Sequence, residues 1–99
     1  MDRNRGIAKI KQVIRKGLKE FAPEVHIERR KTTGHLEIFV ISDAFEKMRD
    51  WNRHELVFDV LEANLKGDPV YRTIASVFPL TRAEYAEDYG LVSAPKNEI

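Results

Sequence analysis

Apolar side chains recur at spacings of three and four over the first stretch of the chain: Ile7, Ile10, Val13, Ile14, Leu18 and Phe21. Lys9, Lys11, Arg15, Lys16 and Lys19 fall mostly between them. This is the period of an amphipathic helix. Asp2 or Asn4 caps its start, and Pro23 ends it near Phe21 by disfavouring helical geometry at Ala22. The period then changes to two. Val25 and Ile27 alternate with His26 and Glu28, as in a half-buried strand. Lys31-Thr32-Thr33-Gly34 reads as a tight hairpin turn in which Gly34 takes a positive φ. Over residues 35–41, Leu36, Ile38 and Val40 point one way and Glu37, Phe39 and Ile41 the other. Both faces are largely apolar, which predicts a central strand.

Asp43 and Glu46 stand in capping-box spacing and predict a short helix to about Trp51. Asn52 and Glu55 repeat that spacing and predict a longer helix with Leu56, Val57, Val60, Leu61 and Leu65 buried, Gly67 as its C-terminal cap and a turn at Gly67-Asp68-Pro69. A third strand is predicted over 70–78, ended by Pro79. Thr81 and Glu84 open a last short helix over 82–89, stopped by Gly90. The order α-β-β-α-α-β-α gives an α+β two-layer sandwich, a three-stranded mixed sheet with its helices on one face. The other face stays partly open for a partner. One domain over 1–90 and a loose tail over 91–99 account for the chain.

Composition narrows the function. With 99 residues, 42% hydrophobic and 33% charged, the chain is globular in type. It contains no cysteine, which removes disulfides, cysteine-held zinc or iron–sulfur clusters and thiol catalysis together. The longest apolar run, 38–41, is too short to span a bilayer. The charged first five residues lead into no secretory apolar region, so the cytoplasm is the expected compartment. Charge is uneven. Residues 1–34 hold ten basic and four acidic side chains, a net +6, and the remainder seven basic and twelve acidic, a net −5. A basic N-terminal third fits a nucleic-acid or acidic-partner face. The plainer reading is a solvated helix face whose lysines meet the acidic part of the fold.

Chemistry-bearing residues are few. His54, in the first turn of the long helix, suits a phosphate or partner contact at a positive helix terminus, or a packing and capping role. His26 and His35, as cross-strand neighbours, would form a metal site with His54, although strand-surface histidines explain the same positions. Arg53 beside Trp51 pairs a base-stacking aromatic with a cation, while Trp51 also suits a hinge packed between helices. Lys47-Met48-Arg49-Asp50 stands where a KH domain carries its Gly-x-x-Gly loop. No Gly-x-Ser-x-Gly, phosphate loop or His-Glu-x-x-His is present, so no catalytic residue is assigned and an enzyme is not expected.

Four segments resemble the BolA family. Ser42-Asp43-Ala44-Phe45 is similar to its Ser-Asp-x-Phe, and Asn52-Arg53-His54-Glu55-Leu56-Val57 to its Arg-His-Arg helix start. Leu61-Glu62-Ala63-Asn64-Leu65 is similar to its Leu-x-x-Glu-Leu, and Leu80-Thr81-Arg82-Ala83-Glu84-Tyr85 to its Leu-Thr-x-x-Glu-Trp. The resemblance implies a class II KH-like topology and a non-catalytic adaptor. Its implied partner is a monothiol glutaredoxin, with which family members share a two-iron two-sulfur cluster. Three positions depart: Lys47 replaces a Gly, Glu55 replaces the third residue of Arg-His-Arg, and Thr73, beside Arg72, stands where the family's third-strand His ligand falls. His35 only borders the loop that carries the second family ligand and is the one metal candidate left. The expectations are a partner or nucleic-acid surface of Trp51, Asn52, Arg53, His54, Arg72 and Thr73, weak or absent cluster ligation, and a KH-like nucleic-acid-binding module as the alternative function.

Overall fold

A computed structural model describes residues 2–90, with side chains from Arg5 to Asp88. The helical period at the N-terminus forms α1 (Asp2–Gly17), with Ile10 and Ile14 buried on one stripe that Leu18, just past its end, continues. The helix ends earlier than predicted. A 3₁₀ turn, Lys19–Phe21, carries the chain to Ala22, which adopts φ 46° rather than the extended conformation usual before proline.

The period-two segment forms β1 (Glu24–Arg29), which pairs antiparallel with β2 (Leu36–Ile41). Gly34 in the connecting turn has φ +78°, so the predicted need for glycine holds. β2 also pairs in parallel with β3 (Ile74–Leu80), giving the order β1-β2-β3 with β2 central. A mixed sheet of this kind requires a long crossover between its parallel strands. That crossover is α2 (Asp50–Leu65), whose buried stripe is Arg53, Val57, Leu61 and Leu65.

The two long helices cover one sheet face. Ile10, Ile14, Leu36, Ile38, Val40, Phe45, Val57 and Leu61 form the centre of one apolar core, each contributing ~1.5–3 kcal/mol through burial. α1 packs against α2 with Gly17 facing Val60. A Cβ there would lie 2.4 Å from Val60 Cγ1, so even alanine would push the helices apart. The opposite face is not bare. Phe39 is only 4% exposed there, stacked on Phe78 with centroids 5.0 Å apart and met edge-on by Tyr85 at 5.8 Å. Tyr85 belongs to the short α3 (Arg82–Tyr85), which continues as a π-helical turn, Ala86–Gly90.

Local geometry differs from the sequence reading at five places between Asp43 and Pro79. The expected helix from Asp43 is a three-residue 3₁₀ turn, Asp43–Phe45, because the Ser42 hydroxyl accepts from the Ala44 N–H and ends the strand itself. α2 begins at Asp50 with Arg49 as an uncapped N-terminus, so the Asn52–Glu55 spacing is no capping box. Residues 70–73 are not strand. Asp68 accepts from the Val70 N–H, and Pro69 opens a 3₁₀ turn, Pro69–Thr73. Pro79 does not end β3. It pairs with Val40 inside the strand, which is tolerated because β3 is an edge. Gly67 follows α2 without a positive φ. The expected tail over 91–99 lies outside the described residues. No helix among the described residues is long and apolar enough to cross a membrane.

Candidate functional site

The candidate residues gather at the two ends of β3. At its C-terminal end stands Arg53, on the same stripe as Val57, Leu61 and Leu65 and only 4% exposed. Its guanidinium donates to the carbonyls of Met48 (3.0 Å) and Pro79 (3.2 Å) and to Glu84 Oε1 (2.7 Å), and lies 5.8 Å from the Phe45 ring centroid. Glu84 also closes a capping box on α3, accepting from the Thr81 N–H at 2.9 Å while Thr81 Oγ1 accepts from the Glu84 N–H at 3.2 Å. The bond from Arg53, then that from Thr81, holds the Glu84 carboxyl below the usual carboxylate range.

His54 adds a second tie. Its Nε2 lies 3.0 Å from the Val77 carbonyl and its Nδ1 3.0 Å from the Asp50 carbonyl. A neutral ring donates to one of these, an imidazolium to both. Leu80 accepts from the Ser42 N–H at 2.9 Å. Alternate residues of β3 therefore face β2, and Val77 and Pro79 face outward. Arg53 and His54 thus occupy the outward carbonyls of two successive edge positions. Trp51 and Asn52 in the same helix turn are exposed. Trp51 is 66% exposed, and Phe58, two turns on, is 37% exposed with its ring against His54 at 6.4 Å.

The N-terminal end of β3 is different in character. Thr73 closes the 3₁₀ turn and donates through Oγ1 to the Val70 carbonyl at 2.6 Å, while Arg72 is exposed. His35 immediately precedes Leu36, the partner of Ile74, so His35 and Thr73 share this sheet end. Beside them opens a cleft of about 480 Å³, walled by α1, the end of β1 and the turn after α2. Lys9 and Asp68 pair across it, and Lys9, then the Val70 N–H, keeps the Asp68 carboxyl below its ordinary range.

Several expectations change on this geometry. Arg53 is not a surface residue. Its stripe spacing of four with Val57, Leu61 and Leu65 is the sequence signal that places it inside. The three histidines do not converge. His26 pairs with Phe39 rather than His35, and its ring stacks on Tyr85 at 5.6 Å. His54 lies at α2, apart from both. Among the described residues, no three His, Cys, Asp or Glu side chains are grouped to hold a metal. An iron–sulfur cluster does not fit the residues at the Thr73 end. The Thr73 hydroxyl is bound to a backbone carbonyl, Arg72 carries no ligating atom and His35 is a single imidazole. Glu84, taken from the sequence as a helix cap, is also the anchor of Arg53.

A family model described as BolA-like protein matches residues 15–71, more than half of the chain. The matched stretch contains β1, β2 and α2 and stops two residues before Thr73. No curated protein matches the chain. Among solved structures, a bolA protein homologue from Coxiella burnetii is 30% identical with a TM-score of 0.57, covering 79% of this chain and 92% of its own. The BolA domain of SufE1 from Arabidopsis thaliana is 27% identical with a TM-score of 0.57, covering 81% and 94%. BolA1 from Mus musculus is 25% identical with a TM-score of 0.57, covering 82% and 68%.

Proposed function

The chain belongs to the BolA-like protein family, and from that premise we propose that it is a non-catalytic adaptor that docks a protein partner without ligating a cluster. The exposed Trp51, flanked by Phe58 and the half-buried His54 against the β3 edge, carries this reading. Exposed aromatic anchors dominate the energetics of protein contacts, and Arg53 and His54 fix the backbone beneath this one. The family resemblance names a monothiol glutaredoxin as the partner to try. The donor set at Thr73 and His35 supports association without shared ligation.

The test is to mix the protein with a cluster-loaded monothiol glutaredoxin and follow both complex formation and the visible spectrum. The expected result is a complex that leaves the iron–sulfur absorption unshifted, weakened about tenfold or more by Trp51→Ala. A shifted spectrum would contradict the ligation half of the reading, and the absence of any complex would contradict the partner.

A nucleic-acid-binding module is the second reading, supported by the exposed Arg15 and Lys16 on α1 and Lys19 in the turn after it. Arg53, its other support, is internal. A steep salt dependence of DNA or RNA binding is its signature.

A further inference from the structure

Three surfaces lie outside the adaptor reading: the basic face of α1, the acidic outer face of α2 and the cleft at the N-terminal end of the sheet. The two helix faces are convex. The cleft is concave, and its volume of about 480 Å³ falls within the range of small-ligand pockets.

Its lining is built from separate elements. Arg5 and Lys9, four residues apart on α1, present one helix face. Arg29 ends β1 on the same side as Val25 and Ile27, toward the helices, and its Nη1 donates to the Gly34 carbonyl at 2.9 Å, which orients the guanidinium. Pro69, exposed, and Val70, half-buried, supply apolar surface over the buried Leu36. Against the three cations stands a single carboxylate, Asp68, joined to Lys9. The cleft is therefore +2. The Arg5 side chain has no hydrogen bond or ion pair among the described residues.

We propose that this cleft binds a small phosphomonoester, its dianionic phosphate between Arg5, Lys9 and Arg29 and its organic body on Pro69 and Val70. Two guanidiniums offer forked donors suited to phosphate oxygens, and a dianion balances the excess charge. A monocarboxylate would leave one positive charge uncompensated. The assignment does not depend on the adaptor reading, because Trp51 lies at the other end of the molecule's long crossover.

Titration of the ¹⁵N-labelled full chain with phenyl phosphate and with inorganic phosphate tests it. Saturable shifts are expected at the amides of Lys9, Val70 and Thr73, with phenyl phosphate the tighter ligand. Arg5→Ala should weaken binding about fivefold, the order of one partly exposed charge contact. Asp68→Asn keeps an oxygen to accept from the Val70 N–H while removing the opposing charge, and should tighten binding by about the same factor. Shifts at Lys11, Arg15, Lys16 and Lys19 as large as those in the cleft would overturn the proposal, as would weaker binding by Asp68→Asn. A single-stranded oligonucleotide that moves the cleft amides at lower concentration than phenyl phosphate would replace it with a polyanion site.

Discussion

The two ends of β3 use polar residues in opposite ways. At the C-terminal end, Arg53 is buried with its guanidinium bonded to two backbone carbonyls and a carboxylate, and His54 reaches a third carbonyl. At the N-terminal end, Arg72 is exposed, Thr73 bonds only to its own turn, and the neighbouring cleft holds three cations around one acid. The first end is held by Arg53 and His54 of α2, which lie within the stretch that matches the family, while the strand and Glu84 that they bind follow it. The second begins just after that stretch closes. The Arg-His pair is thus part of the scaffold, while the Thr73 end, where the family resemblance would place a ligand, offers a different kind of surface. A motif can keep a fold and say nothing of the chemistry one strand-length away.

That contrast can be broken at its strongest point by Arg53→Met. The substitution leaves the Met48 and Pro79 carbonyls without their donor and frees Glu84, so a loss of about 2–4 kcal/mol is expected in urea unfolding. A loss below about 1 kcal/mol would show that Arg53 is no staple. His54→Ala should cost about 1–2 kcal/mol by leaving the Val77 carbonyl open, with faster hydrogen exchange in β3 as its local sign. An unchanged exchange pattern would detach His54 from the strand.

The third prediction concerns pH. Glu84 has a folded-state pKa below its ordinary value, so its contribution is fully present above the unfolded value, near ~4.3, and is lost as pH falls through the lower folded value. Glu84→Gln should flatten this acid limb. Because the Glu84 side chain is 41% exposed, the effect should be under about 1 kcal/mol after screening. An acid limb as steep in the variant as in the parent would assign it to other carboxylates. The smallest effect belongs to Thr73→Ala, about 0.5 kcal/mol for one turn hydrogen bond. A cost equal to that of Arg53→Met would erase the distinction between the two ends.

The element order apart from the expected Asp43 helix, the central position of β2, the Gly34 turn and the Thr81–Glu84 capping box were legible in the sequence, because each rests on periodicity or on contacts within four residues. The misread points depend on distant partners. Pro79 looked like a strand end, but only the sheet order makes β3 an edge where a missing N–H is harmless. Arg53 looked like surface because it is charged, although its spacing from Val57, Leu61 and Leu65 marked it as internal. Residues 70–73 are apolar enough for a strand, and the Asp68-Pro69 pair that starts a 3₁₀ turn competes successfully with that pattern. Arg5, Lys9, Arg29 and Asp68 come from three separate segments, and nothing local announces that they share a cleft.

The capped carbonyls of Val77 and Pro79 also bear on how the protein behaves in company with itself. An exposed strand edge invites a second chain to add another strand, the first step toward fibrous aggregates. Along the outer side of β3, an incoming strand would find two acceptors already taken by Arg53 and His54 and, at Pro79, no hydrogen to receive. The other edge, β1, alternates Glu24, His26 and Glu28 along one face, and charges there oppose growth of the sheet in that direction. A sheet of only three strands is in this way kept from becoming a larger one, which lets an exposed tryptophan sit nearby without turning the molecule into a seed.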